Sequence, residues 1–286
     1  MGIIYGTINV DEKYSSILEP NLFNESVFVP GITYTDQYEE GPAGQILVHK
    51  LSTTAVEPGK PGRDFVDEAG SDTLIPIAIN NNFQKSKKIY GVQAAAVAFP
   101  LANEQLSLAT QEVKEGWGNA GNACLVTEGT TSEHTTAITS ATDALIDERT
   151  LISKSKGKAD IVLCSPDFFG MLLKEAGSKF MPVRNDKVAA TGSIGTYLGF
   201  TVIEDNGLAM SSAKYINAAG TTKTAAFTGV QFVMYNHNAL SIVNNLEAMR
   251  IVDSENFVGS KAQVEMNTGY KVTNSALVRV RTITSS

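Results

Sequence analysis

Residues 101–128 read LANEQLSLATQEVKEGWGNAGNACLVTE, and this stretch predicts the longest helix of the chain. Leu106, Ala109, Val113, Trp117, Ala120 and Cys124 recur at intervals of three and four, which places one apolar stripe on a helix. Asn103 can cap its start, and Glu104 suits the positive end of the helix dipole. Gly116, Gly118 and Gly121 each weaken the second half by about 1 kcal/mol relative to alanine. Their clustering predicts a kink, or close packing against another backbone. The stripe also assigns Trp117, the sole tryptophan, to a core rather than to a stacked ligand.

Upstream, Gln45-Ile-Leu-Val-His-Lys-Leu51 reads as a strand, and residues 73–79 (TLIPIAI) as a second, whose proline suits a sheet edge. The polar residues between them include Pro58, Gly59, Pro61, Gly62 and Gly70. The two strands therefore form a long hairpin. A connection of this length is uncommon inside a compact domain, and an isolated hairpin is marginal in water, so it needs a neighbouring surface. Residues 1–40 carry few periodic signals. Tyr14, Ile17 and Leu18 could share one face of a short helix, Val27-Phe28-Val29 reads as a short strand, and Pro20, Pro30 and Gly31 break the chain. This is the pattern of an arm laid over other structure.

Downstream, Ser140-Ala-Thr-Asp143 resembles a capping box, and Ala141, Ala144, Leu145, Leu151 and Ile152 then keep helical spacing. Residues 154–158 (KSKGK) close that helix, and residues 159–164 (ADIVLC) read as a strand. Ser165, Pro166 and Asp167 start a further helix to about Ala176, ended by Gly177. Helix, strand and helix in this order predict an α/β layer. From Gly192 the character turns to β, with strands expected at 197–203, 221–226 and 229–234 and two more within 262–283. In the last of these, Arg279 and Arg281 alternate with apolar residues, as on a half-solvated strand.

The bulk composition excludes more than it names. A 43% hydrophobic fraction is ample for a core, so the chain is not a disordered one. A net charge of -7 argues against a protein that grips nucleic acid phosphates, but not against one that encloses DNA behind mildly acidic walls. Cys124 and Cys164 lie in apolar settings with no metal-ligand spacing, and a buried, reduced pair is expected. Residues 1–10 lack the basic start and apolar run of a signal peptide, and no stretch approaches the roughly 20 apolar residues of a membrane span. The expectation is a soluble protein with no membrane contact.

No stretch carries a convincing reactive site. Gly192-Ser-Ile-Gly195-Thr-Tyr-Leu-Gly199 lacks the Gly-Lys-Ser/Thr ending of a phosphate loop and the spacing of a dinucleotide fingerprint; a turn before a strand explains it. His49, His134 and His237 lie far apart. A Cys164–His134 nucleophile pair is conceivable only through the fold, and the residues after Cys164 read as a helix cap. The adjacent carboxylates Glu39-Glu40, Asp67-Glu68 and Asp147-Glu148 read as solvated faces. No catalytic residue, cofactor site or metal site is assigned, and a structural role is favoured over an enzymatic one.

The order of these parts resembles the major capsid proteins of tailed bacteriophages, whose fold is named after phage HK97. Three stretches carry local similarity: residues 191–208 (TGSIGTYLGFTVIEDNGL), residues 257–278 (FVGSKAQVEMNTGYKVTNSALV) and residues 11–16 (DEKYSS). The resemblance spans nearly the whole chain and rests on order more than on any one motif. It implies an α+β fold with an N-terminal arm (1–40), an extended β-hairpin loop (41–88), a peripheral domain with a spine helix (89–134), an α/β axial domain (135–244) and return strands to the peripheral domain (245–286). It further implies self-assembly into hexamers and pentamers of an icosahedral head around double-stranded DNA, in a virion assembled in a bacterial cytoplasm. Portal and scaffolding proteins are the implied partners, and packaged DNA is contacted without sequence preference.

Two departures stand out. No long helical N-terminal extension of the kind that some members lose to a maturation protease is read in the sequence, so a scaffold is expected to be a separate protein or a segment already cleaved from this numbering. Lys60 lies on the loop, but no catalytic glutamate matches those of cross-linking members, so that chemistry is not carried over. An encapsulin-type nanocompartment, which shares the fold and encloses protein cargo, is the alternative. A hydrolase using Cys164 and a tail-tube subunit are more distant ones.

Overall fold

In a computed structural model, residues 23, 26–36, 44–51, 70–96, 100–176, 181–182 and 193–284 are described. Along the chain these form β1 (Gln45–Leu51), β2 (Asp72–Ala78), β3 (Asn81–Tyr90), α1 (Gly91–Ala96), α2 (Leu101–Glu128) and β4 (Thr130–His134). Next come α3 (Ala141–Lys154), β5 (Ile161–Cys164), α4 (Pro166–Ala176), β6 (Met181–Pro182), β7 (Ser193–Tyr197) and β8 (Phe200–Glu204). The chain ends with β9 (Ser212–Ile216), β10 (Thr222–Ala226), β11 (Val230–Tyr235), β12 (Leu240–Asp253), β13 (Gly259–Val272) and β14 (Val278–Ile283).

The spine helix α2 is one uninterrupted helix over the residues the periodicity marks, and its stripe is buried from Ala109 to Leu125. The expected glycine effect takes the close-packing form. A Cβ on Gly118 would lie 2.7 Å from Ser26 Oγ, and one on Gly121 would lie 2.6 Å from Phe28 Cε2. These two glycines thus let residues 26–28 lie directly on the helix. Phe28, Tyr34 and Trp117 meet edge to face, with ring centroids 6.1–6.5 Å apart. Trp117 is core, as its place on the stripe requires, and its indole N–H donates to Asn244 Oδ1 at 3.0 Å. Burial is the main cause that pushes the Tyr34 phenol up to about 12.

α2 covers one face of a three-stranded antiparallel sheet of order β12-β13-β3. The inward residues of β13 are Ala262, Val264, Met266 and Thr268, all buried. β3 and the long β12 carry no clean apolar alternation, which is why sequence patterning overlooks both. On β3, two of the spine-facing positions are lysines: Lys85 and Lys87 pair with Glu112 of α2 at 2.8 and 2.6 Å. On β12, the outer half runs past the helix and stays exposed.

The second sheet has the order β4-β14-β11-β5-β8-β7-β6, parallel at β14/β4 and β5/β8 and antiparallel elsewhere. Its central strands are buried on both faces. Ile161 and Leu163 of β5 and Val233 and Tyr235 of β11 join the core under α2. Val162 and Cys164, with Phe232 and Met234, join the core under α3 and α4. Alternating residues of one apolar run thus serve two helical layers. The α/β layer stands where helix, strand and helix predict it. Ser140 caps α3 by accepting from Asp143 N at 3.2 Å, and Ser165 accepts from Phe168 N at 3.4 Å to start α4.

Two readings of β segments change. Residues 197–203 are not one strand: Leu198 (φ 53°) and Gly199 (φ 85°) make a tight turn that joins β7 to β8 as a hairpin. β14 is not half-solvated, since it lies between β4 and β11 and its Arg281 is only 8% exposed. The short strands β4, which is polar, and β9 are each five residues long, too short to carry a clear alternation.

Candidate functional site

The β1–β2 ribbon, a two-stranded sheet of its own, carries a row of exposed apolar side chains. Its register sets Gln45 opposite Ala78, Leu47 opposite Pro76, His49 opposite Leu74 and Leu51 opposite Asp72. Residues directly opposite share a face, so one face carries Leu47, Leu51, Leu74 and Pro76. Leu47, Leu51 and Leu74 remain 46%, 72% and 47% exposed. The other face, Ile46, Val48 and Ile75, is half-buried and ends at the buried Ile77 beside β13. A ribbon apolar on both faces, with one face open, is built to be covered. Near its free end His49 Nδ1 and Asp72 Oδ2 lie 2.5 Å apart. The polar loop from 52 to 69, including Lys60 and Asp67-Glu68, lies outside the described residues, as do residues 1–22 with the 11–16 stretch, Glu39-Glu40, Gly177 and Gly192.

A second exposed apolar group stands at the tip of the β12–β13 hairpin. Val258 is 90% exposed, and Val92 and Tyr90 lie nearby on α1 and β3. Gly91 N donates to Val258 O at 3.0 Å, which holds the tip against the start of α1. The Phe257 ring sits 4.9 Å from Tyr90, with the Lys88 and Lys261 ammonium groups 6.0 and 5.9 Å from its centre.

The conceivable nucleophile pair does not come together. Cys164 is fully buried and its thiol is pushed well above its ordinary range, first by desolvation and then by Glu204. The reactive thiolate form is thereby disfavoured. His134 Nε2 lies 3.5 Å from Glu148 Oε1 instead. Cys124 is also free and buried, in the other core. His237 pairs with Asp160, through both its backbone N–H and its ring. The glycine-spaced stretch that invited a phosphate-loop reading is the β7–β8 hairpin from Ser193 onward. Among the described residues no group of three His, Cys, Asp or Glu side chains could hold a metal ion, and no helix is long and apolar enough to cross a membrane.

Two polar groups escape the sequence reading. Asp147-Glu148 is not a solvated pair: Glu148 is 1% exposed and accepts from Ser132 Oγ at 2.9 Å and from Arg281 Nη1 at 3.4 Å. Its signal was present, because position 148 continues the 141, 144, 145, 152 stripe. The other group is Asp205, 3% exposed at the turn after β8. It accepts from Gly207 N at 2.7 Å and from Asn122 Nδ2 of the spine at 2.6 Å. Desolvation outweighs these bonds and pushes its carboxyl up to about 6.

No family model matches the chain, and no curated protein matches it. Solved structures do. A chain from Mycobacterium phage Che8 is 19% identical, with a TM-score of 0.69 over 99% of this chain and 100% of that one. A chain in the capsid of cyanophage P-SCSP1u is 13% identical, with a TM-score of 0.73 over 96% of this chain and 93% of that one. A chain of the mature capsid of bacteriophage PhiM1 is 13% identical, with a TM-score of 0.68 over 98% and 93%. The matches cover nearly the whole chain, so this chain has the α+β fold of these phage capsid structures, consistent with the HK97-like fold that its sequence resembles.

Proposed function

We propose that this chain is the major shell subunit of a phage head, assembling into the hexamers and pentamers of an icosahedral container for double-stranded DNA. The observation that carries the reading is the open apolar face of the β1–β2 ribbon, on a chain with a capsid fold. A neighbouring copy supplies the surface that covers Leu47, Leu51 and Leu74, and many such contacts per shell make a closed particle stable through multivalency. The functional parts are the arm (1–40), the extended loop (41–88), the peripheral domain (89–134), the axial domain (135–244) and the return strands (245–286).

The mild net charge of -7 lets packaged DNA move inside without adhering. Portal and scaffolding proteins complete the assembly, which takes place in the bacterial cytoplasm and ends in the virion. The burial of Cys164 argues against the hydrolase alternative, and a Cys164→Ser variant is expected to retain assembly.

Negative-stain electron microscopy of the purified chain, beside its sedimentation profile and with a co-expressed scaffold if the chain alone stays monomeric, tests this. Closed shells, or rings of five and six subunits, are expected. A monodisperse monomer under both conditions contradicts the reading. Shells that enclose protein rather than DNA in the native particle favour the encapsulin alternative.

A further inference from the structure

We propose that the small cavity between the arm, the spine helix and the turn after β8 is a binding site for one ordered water molecule, which ties these three parts of the subunit together. The cavity is lined by Ser26 and Phe28 of the arm, by Glu115, Asn119 and Asn122 of the spine, and by Asp205. Its volume of about 10 Å³ is that of a single water and leaves no room for a larger ligand.

The lining is polar, and one buried acceptor atom in it has no partner among the described residues. Asn122 is 2% exposed; its amide nitrogen donates to Asp205, while its Oδ1 has no hydrogen-bond partner among the described residues. A buried acceptor left unpaired is costly, so native folds satisfy such groups with protein or with water. Ser26 Oγ accepts from Phe28 N at 3.3 Å and keeps its own proton to donate. A water here accepts from Ser26 and donates to Asn122 Oδ1 and to Asn119 Oδ1 or the Glu115 carboxylate. That gives it the three or so hydrogen bonds typical of a buried water.

The residues around it explain why no side chain does this work. Gly118 and Gly207 present bare backbone to the junction: a Cβ on Gly118 would lie 2.7 Å from Ser26 Oγ, and one on Gly207 would lie 2.8 Å from Asn122 Nδ2 and 2.9 Å from Asn119 Oδ1. The close approach that lets the arm lie on the helix leaves a gap one water wide. A hard cation suits the site less well, because both Asp205 oxygens already accept N–H groups.

The test is a structure of the assembled particle, or of the unassembled subunit, at a resolution that shows ordered waters. One peak is expected within hydrogen-bond distance of Asn122 Oδ1 and Ser26 Oγ. An empty cavity overturns the proposal, and so does a peak ringed by about six oxygens at roughly 2.0–2.6 Å, the signature of a metal ion. The Ser26→Ala variant separates the tie from mere filling. Loss of the peak, with Asn122 and Asp205 unmoved, is expected; a peak unchanged in that variant shows that the arm is not a partner and overturns the three-way tie.

Discussion

Replacing Leu47 and Leu74 together by serine should weaken assembly without unfolding the subunit. The two side chains are 46% and 47% exposed in the subunit, so their intrachain packing is already incomplete. Full burial of a leucine is worth about 1.5–3 kcal/mol. A neighbour that covers the remaining exposed area therefore recovers about 0.7–1.4 kcal/mol at each position, or about 1.4–2.8 kcal/mol for the pair. Because 1.4 kcal/mol is a factor of ten, the concentration at which shells form should rise about 10- to 100-fold. Adding Leu51→Ser, at the most exposed of the three positions, should raise it further. Light scattering against protein concentration reads this shift, and a thermal melt of the unassembled subunit checks that the fold survives. Shells forming at the wild-type concentration, from variants that melt like wild type, would refute the argument that the ribbon's open face is covered in the assembly.

Other parts of the subunit make separate predictions. Arg281→Met takes the guanidinium away from the buried Glu148, leaving it only Ser132 and the partly exposed His134, and should cost about 3–5 kcal/mol in urea unfolding, whereas the Arg281→Met/Glu148→Met pair should return to wild-type stability or above. Gly121→Ala drives a Cβ into the Phe28 ring and should destabilise the unassembled subunit by about 1–3 kcal/mol, with Phe28→Leu restoring part of the loss. Asp205 has a folded pKa of about 6, above the ordinary carboxylate value, so its contribution is present at low pH and is lost as pH rises through 6. Between pH 5 and 7.5 the subunit should lose about 1.4 kcal/mol from this group, and the Asp205→Asn variant should be flatter over the same range in a pH series of denaturant melts.

The helical layer and the ribbon were legible from local pattern. The α2 stripe, the Ser140 and Ser165 caps, and the two apolar runs of the ribbon each depend on residues close in sequence, and the structure places α2, β1 and β2 within a residue of where the pattern does. What pattern could not reveal depends on long-range partners. β3 hides its inward face behind Lys85 and Lys87, which are tolerated only because Glu112 of α2 meets them. Arg281 reads as a solvated residue until Glu148, more than a hundred residues earlier, is found beneath it. The glycines of α2 announced a close approach, but not that the arm of the same chain makes it. As for the candidate site, its two apolar strands were visible, while which face stays open follows only from the register.

If this chain builds a shell, the ribbon is completed by a second copy of it. A reconstruction of the closed particle tests it most directly. In that reconstruction Leu47, Leu51 and Leu74 should be covered by a neighbouring subunit; a closed shell in which that face lies open to solvent, or folds onto its own subunit, contradicts a role for the ribbon in joining copies.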